Sequence, residues 1–202
     1  MATDHPAAYV PLTPVTDYAP RLMTAADLAE LPAELPSGPV HYELDDGVLI
    51  SMSPPGFLHG SVESGIVAAL RQQGEDRGHG LASCGEVGIV LRRNPDRVVG
   101  ADAAFISSAQ LPVQLTPEGY LETIPALVVE VVSKNDTRKY LARKVNDYLR
   151  AGVQCVWVVD PQSKSLTEHR ANTEARTFDA SATVTLADLI PDFELALAGL
   201  FR

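Results

Sequence analysis

A mixed α/β (α+β) fold, with a central β-sheet flanked by helices, is predicted by three stretches of this chain. The run Ala126–Val132 is almost continuously apolar, as in a strand buried on both faces of a sheet. Residues 137–150 place apolar side chains at helical spacing and stop at Gly152, a C-terminal cap. Cys155–Asp160 is a second apolar strand, so the unit reads strand, helix, strand, with a right-handed parallel crossover. Upstream, His41–Met52 holds two strand runs joined at Asp46-Gly47, the pair that tight hairpin turns prefer, which adds antiparallel strands.

The remaining elements follow in order. Residues 1–20 carry prolines without periodicity and read as an extended or disordered tail; 21–202 read as one domain, long enough for a substantial core. Thr24 caps a short helix that reaches Glu30 and is stopped by Pro32 and Pro36. A helix from Leu58 to Gln73 sets His59, Val62, Ile66, Leu70 and Gln73 on one face with Glu63 at its margin, and Gly74, Gly78 and Gly80 close it. Strands over Leu81–Leu91 and Val98–Ile106 are joined by the turn Arg92–Asp96. A loop with Pro112, Pro117 and Gly119 then leads into the strand–helix–strand unit. Ser165–Arg170 is expected as an edge strand, and the loosely alternating segment Thr185–Phe201 is expected to close the sheet.

The formal charge of −10 argues against a generic nucleic-acid coat, whose affinity comes from Lys and Arg neutralising phosphate. It leaves room for a nuclease, because a site that gathers carboxylates for metal is locally acidic. Arg92, Arg93 and Arg97, and the basic residues between Lys134 and Arg150, read as solvated surfaces. Cys84 and Cys155 both sit in apolar runs and read as reduced, buried thiols. There is no CxxC, HExxH, Gly-x-Ser-x-Gly elbow or glycine-rich phosphate loop. With neither a signal-like N-terminus nor an apolar run of membrane-spanning length, a soluble cytoplasmic protein is expected.

Two carboxylates stand out because each interrupts an apolar strand: Asp102 and Glu130. An unpaired buried carboxylate is costly and normally neutralises, finds a partner or binds metal. Asp102 has an equal alternative as a local turn or cap group after Gly100. On the helix, Leu141, Val145, Tyr148 and Leu149 form the inward stripe, with Lys144 on its flank and Lys139, Arg143 and Arg150 opposite. Lys144 either points inward or runs its stem along the helix edge to solvent. If the two strands are neighbours, their acids share a pocket whose oxygen ligands suit Mg²⁺ or Mn²⁺. Such an ion supports attack of water on a phosphodiester, with Lys144 orienting that water or screening developing charge.

Taken together, Tyr42-Glu43-Leu44, Gly47, Met52-Ser53-Pro54, His59, the Asp102 strand, Pro125–Ser133, Lys144, Tyr148, Gly152-Val153, Trp157, Asp160-Pro161 and Leu186–Phe193 form one ordered pattern. In order and spacing it resembles the Uma2 family, also called domain of unknown function 820, over about residues 22–202. The resemblance implies the restriction-endonuclease-like fold of PD-(D/E)xK nucleases. It implies metal binding by Asp102, Glu130 and the Val131 backbone carbonyl, with Lys144 as a catalytic lysine moved to the helix, because Val132 stands where the older motif has Lys. Glu43, His59 and Tyr148 match positions lining such a site; a core hydrogen bond or helix-end role is an equal alternative for Glu43 and His59. Departures from the family pattern are Ala101 before Asp102, where the motif has Pro, Tyr140 in a place where many members carry Asp, and Cys155 in place of an acid. The function so implied is a Mg²⁺- or Mn²⁺-dependent endonuclease acting on nucleic acid, DNA first, as a homodimer. A catalytically inactive binding or assembly module and a phosphoesterase for a small nucleotide are the other readings.

Overall fold

The computed structural model describes residues 21–52, 54–111, 119–134 and 136–201. The tail expected over 1–20 and the prolines Pro112 and Pro117 lie outside the described residues. Helix α1 (Ala25–Ala29) begins at Thr24, whose hydroxyl accepts from the Asp27 N–H while the Asp27 carboxylate accepts from the Thr24 N–H, a reciprocal cap. Two short strands, β1 (Glu34–Leu35) and β2 (Gly38–Pro39), form a small ribbon of their own. The expected hairpin is β3 (His41–Asp45) and β4 (Val48–Met52), with Asp46 at φ 54° and Gly47 at φ 79°, the left-handed pair that a tight hairpin turn requires.

Helix α2 (Phe57–Leu70) runs on into a π-helical turn over Arg71–Glu75. There a Cβ on Gly74 would meet the Phe105 ring at 2.7 Å, so only glycine allows that approach. Long antiparallel strands β5 (Gly80–Arg92) and β6 (Arg97–Ser107) come next, then β7 (Leu127–Val131), α3 (Arg138–Ala151), β8 (Cys155–Asp160), β9 (Ser165–His169), β10 (Arg176–Asp179), β11 (Thr183–Thr185) and β12 (Glu194–Ala196). Thr137 caps α3 through the Tyr140 N–H, and Gly152 ends it at φ 107°.

The central sheet is mixed. Its order is β10-β9-β8-β7-β6-β3-β4, with β5 also paired to β6; β7 and β8 are parallel and the other pairs antiparallel. Val62, Ile66 and Leu70 of α2 pack with Phe105, Leu127, Val129 and Trp157, while Val145 and Tyr148 of α3 pack with Val128 and Val156. Among the described residues no helix is long and apolar enough to cross a membrane.

Four expectations are corrected. Strand β9 is interior, because β10 pairs outside it, and the polar sequence Arg-Thr-Phe-Asp of β10 gives no apolar alternation to reveal a strand. The C-terminal segment does not close the central sheet: β11 and β12 pair with each other, and Leu186, Ile190, Phe193 and Leu195 cover the core instead. Alternation reports that a segment is buried on one side and leaves its partner open. Cys84 is exposed, in an irregular part of β5. Arg97 is no surface group; it is 2% exposed and bonded to Asp147 and the Leu44 carbonyl.

The pairing along β6 prepares the site. Strand β5 takes one edge of β6 along its length, while the other edge is shared by β7 at Ala103–Phe105 and β3 at Val98. Between these two lies Gly100, whose backbone groups find side-chain partners: its N–H donates to Glu43 Oε1 at 2.9 Å and its C=O accepts from Lys144 Nζ at 2.9 Å. A gap in the ladder is thus filled by an acid and a base from distant parts of the chain.

Candidate active site

At the fork where β6 and β7 part, beyond the rung Ala103–Val129, the Val131 N–H donates to Asp102 Oδ2 at 2.6 Å. Asp102 is therefore no turn or cap group. Its carboxylate and that of Glu130 line one cavity of about 700 Å³, together with His59, Glu86, Val131 and Lys144. Met52 and Pro54 contribute to its wall.

Lys144 is 5% exposed: it points inward and does not run along the helix edge to solvent. Its Nζ donates to Glu130 Oε2 at 2.8 Å and to the Gly100 carbonyl, and lies 3.1 Å from Glu43 Oε1. Two of the three ammonium donors are thus hydrogen-bonded to protein, and Glu43 adds an ion pair. Tyr148 donates to the other oxygen of Glu130, Oε1, at 2.5 Å. Desolvation pushes the Glu130 carboxyl up to about 8, with Lys144 pulling it back and Asp102 pushing further. Glu43 is fully buried, accepts from the Tyr140 hydroxyl and has the Arg97 guanidinium 3.7 Å away. Glu43 and Tyr148 thus sit behind the cavity wall as supports rather than lining it. Tyr140, one of the departures from the family pattern, serves Glu43; Cys155 is a buried thiol beside Glu168, its pKa raised by burial.

His59 does line the cavity, its Nε2 3.2 Å from Asp102 Oδ2 and its Nδ1 3.8 Å from Glu63 Oε2. Burial lowers its pKa, yet the hydrogen bond and charge of Asp102, with Glu63 and Glu86, outweigh that and raise it. Desolvation likewise raises Glu63, against a hydrogen bond from the Gly85 N–H. Acidic groups here outnumber the cations that face them: Glu43, Glu63, Glu86, Asp102 and Glu130 stand against Lys144 and Arg97, with His59 between Asp102 and Glu63. Asp102 Oδ1 and the Glu86 carboxylate have no hydrogen-bond partner among the described residues. A donor set of this kind fits a divalent cation, which would balance the excess charge.

The sequence model of Uma2, described as "Putative restriction endonuclease", matches residues 26–198. The chain belongs to the Uma2 family. A solved structure described as "a putative nuclease belonging to DUF820 from Anabaena variabilis" shares its fold, with a TM-score of 0.72 at 19% identity over 89% of this chain and 97% of that one. None of the curated proteins matches the sequence.

In this Uma2 chain the structure adds two cavity acids that sequence reasoning passes over, Glu86 and Asp136. Glu86 sits in a bulge of β5, between the rungs of Cys84 and Val87, at φ 59° and preceded by Gly85 at φ 86°. Its carboxylate lies so close over Gly100 that a Cβ there would meet Oε2 at 2.6 Å. A glycine inside a strand is the signal that could expose the bulge.

Desolvation, with repulsion from Asp102, pushes Glu86 from the ordinary 4.5 up to about 7, although Lys144 pulls it back. The folded protein then binds this proton more tightly than the unfolded chain does. Stability therefore falls as pH rises across that window. In EDTA, Glu86→Gln is expected to flatten this part of the curve of urea midpoint against pH; an unaltered slope would show a carboxyl that titrates normally.

Proposed function

We propose that this protein is a divalent-cation-dependent nuclease that hydrolyses phosphodiester bonds in nucleic acid. The observation that carries the reading is that Asp102 and Glu130, from separate strands, reach one cavity with Lys144 hydrogen-bonded to Glu130. The family's description, "Putative restriction endonuclease", and that of the Anabaena variabilis protein, "a putative nuclease", support the same class. Asp102 and Glu130, with the Val131 carbonyl, would hold Mg²⁺ or Mn²⁺, which supplies Lewis acidity toward the charge that develops on the phosphodiester.

The chain's own residues do the positioning. Lys144 pulls the Glu130 carboxyl toward its ionised form and aims it, and sets a fixed positive charge beside the reacting phosphate. Tyr148 holds the second oxygen of Glu130, so the carboxylate cannot rotate away. Val131 N–H and His59 together orient Asp102 Oδ2, leaving Oδ1 for the ion. With hydrogen bonds to Glu130 and the Gly100 carbonyl and an ion pair with Glu43, the lysine acts here as an electrostatic and positioning group.

The test is cleavage of plasmid DNA, single-stranded DNA and RNA by the purified protein with Mg²⁺ or Mn²⁺ against an EDTA blank. Cleavage is expected with metal only, and Asp102→Asn and Glu130→Gln are each expected to lower it by about 10²–10³-fold. Activity undiminished in both variants would sink the assignment of this site. A specific observation favours one alternative: the buried hydrogen bonds of Lys144 to Glu130 and the Gly100 carbonyl, together with the charge of −10, also suit an inactive binding or assembly module. Folded protein that cuts none of the substrates with either metal would establish that reading.

A further inference from the structure

Helix α2 presents His59 and Glu63 one turn apart on the same face, beside Asp102 of β6. One ligand atom from each of these three residues lies within 4.8 Å of the others. The His59 side chain is 8% exposed, and its Nδ1 is buried without a hydrogen-bond partner among the described residues. Neutral imidazole carries one donor and one acceptor nitrogen. With Nε2 donating to Asp102, the lone pair falls on Nδ1, which faces the Glu63 Oε2 at 3.8 Å. Two acceptors then confront each other. A proton on Nδ1 would turn this into an ion pair, yet at 3.8 Å it would leave Nδ1 without a hydrogen bond, where a cation could bridge the two atoms.

Glu63 is held in place from the far side. Its Oε1 accepts from the Gly85 N–H at 3.0 Å, in the bulge that also presents Glu86. That contact keeps Oε2 toward His59. Asp102, hydrogen-bonded to the imidazole, stands as the carboxylate that orients a metal-ligating histidine.

We infer that His59 Nδ1 and Glu63, with Asp102 orienting the imidazole through Nε2, form a second cation position in this cavity, one that takes Mn²⁺ or another imidazole-accepting divalent ion in preference to Mg²⁺. Imidazole suits transition ions, whereas Mg²⁺ takes oxygen ligands in a strict octahedron. The inference deepens the nuclease reading and rests on it only in that Asp102 serves both positions.

The experiment is pulsed electron paramagnetic resonance of Mn²⁺ bound to the untagged protein, with calorimetric titration of Mn²⁺ and Mg²⁺. Nitrogen hyperfine coupling is expected in the wild type, is retained in Glu130→Gln and is lost in His59→Gln. Mn²⁺ is expected to bind at least about tenfold more tightly than Mg²⁺, and Glu63→Gln to weaken Mn²⁺ binding by about 10-fold or more. Absence of nitrogen coupling at saturating Mn²⁺, its survival in His59→Gln, or equal affinity for the two ions would overturn the inference. Should His59→Gln not fold, Glu63→Gln decides: Mn²⁺ affinity unchanged from wild type overturns it. Nitrogen coupling without cleavage of any nucleic acid upholds the cation position and removes the nuclease reading; Mg²⁺-supported cleavage without the coupling does the reverse.

Discussion

In Lys144→Ala the folded state is expected to lose about 3–5 kcal/mol, seen as a lower urea midpoint with an unchanged slope. The ammonium lies 2.8 Å from Glu130 Oε2, 2.9 Å from the Gly100 carbonyl and 3.1 Å from Glu43 Oε1. Removing it leaves two buried acids with no charge between them and a strand carbonyl unpaired at the gap in the sheet. Burial alone would lower the pKa of Lys144, but Glu130, Tyr148 and Glu43 outweigh it and hold the group well above the usual lysine value. A raised folded-state pKa means that the stabilising charge is fully present below the ordinary lysine value and is lost only as pH rises through the folded one. The deficit should therefore be full at neutral pH. Adding Glu130→Gln to Lys144→Ala should recover part of it, with a coupling of about 0.5–3 kcal/mol. A loss under about 1 kcal/mol would instead match an ion pair open to solvent, against the burial of this one.

Arg97→Ala is expected to be comparably severe, at about 3–5 kcal/mol, or a melting temperature lower by about 6–20 °C for a chain of this size. The guanidinium is 2% exposed; its Nε donates to Asp147 Oδ2 at 2.9 Å and its Nη1 to the Leu44 carbonyl at 3.0 Å. It also stands 3.7 Å from Glu43, so it links β6, α3 and the acid that fills the gap beside Gly100. Arg97→Lys should recover only part of the loss, because an ammonium lacks the planar fork that spans Asp147 and Leu44 together. Arg143 provides the contrast: it pairs with Asp45 and Asp46 at the surface, and Arg143→Ala should cost about 0–1 kcal/mol. Equal effects of the two substitutions would show that burial does not separate them.

Much of the fold is legible in the sequence because it is local. The Asp46-Gly47 turn, the Thr24 cap and the Gly152 stop each act within a few residues, and the structure keeps all of them. The parallel pair β7 and β8 follows from two apolar runs around an amphipathic helix. Asp102 and Glu130 are legible for a related reason: a carboxylate inside an apolar run needs a partner wherever the strand packs. Arg97 is hidden because it stands beside Arg92 and Arg93, and neighbours in sequence say nothing about which side chain turns inward. Glu86 is hidden because a bulge reverses the in-and-out order of a strand, so alternation does not place it.

The order of the main elements from β3 to β9 and the two strand acids are written in the residues themselves, since they rest on periodicity, turn chemistry and the cost of a buried charge. Folding was needed to bring β3 and β7 to the same edge of β6 and leave Gly100 between them, to be closed by Glu43 and Lys144. The same assembly set His59 and Glu63 beside Asp102. A helical or strand period tells which way one element faces. Which backbone groups stay unpaired, and which distant side chains must satisfy them, is settled when the strands come together.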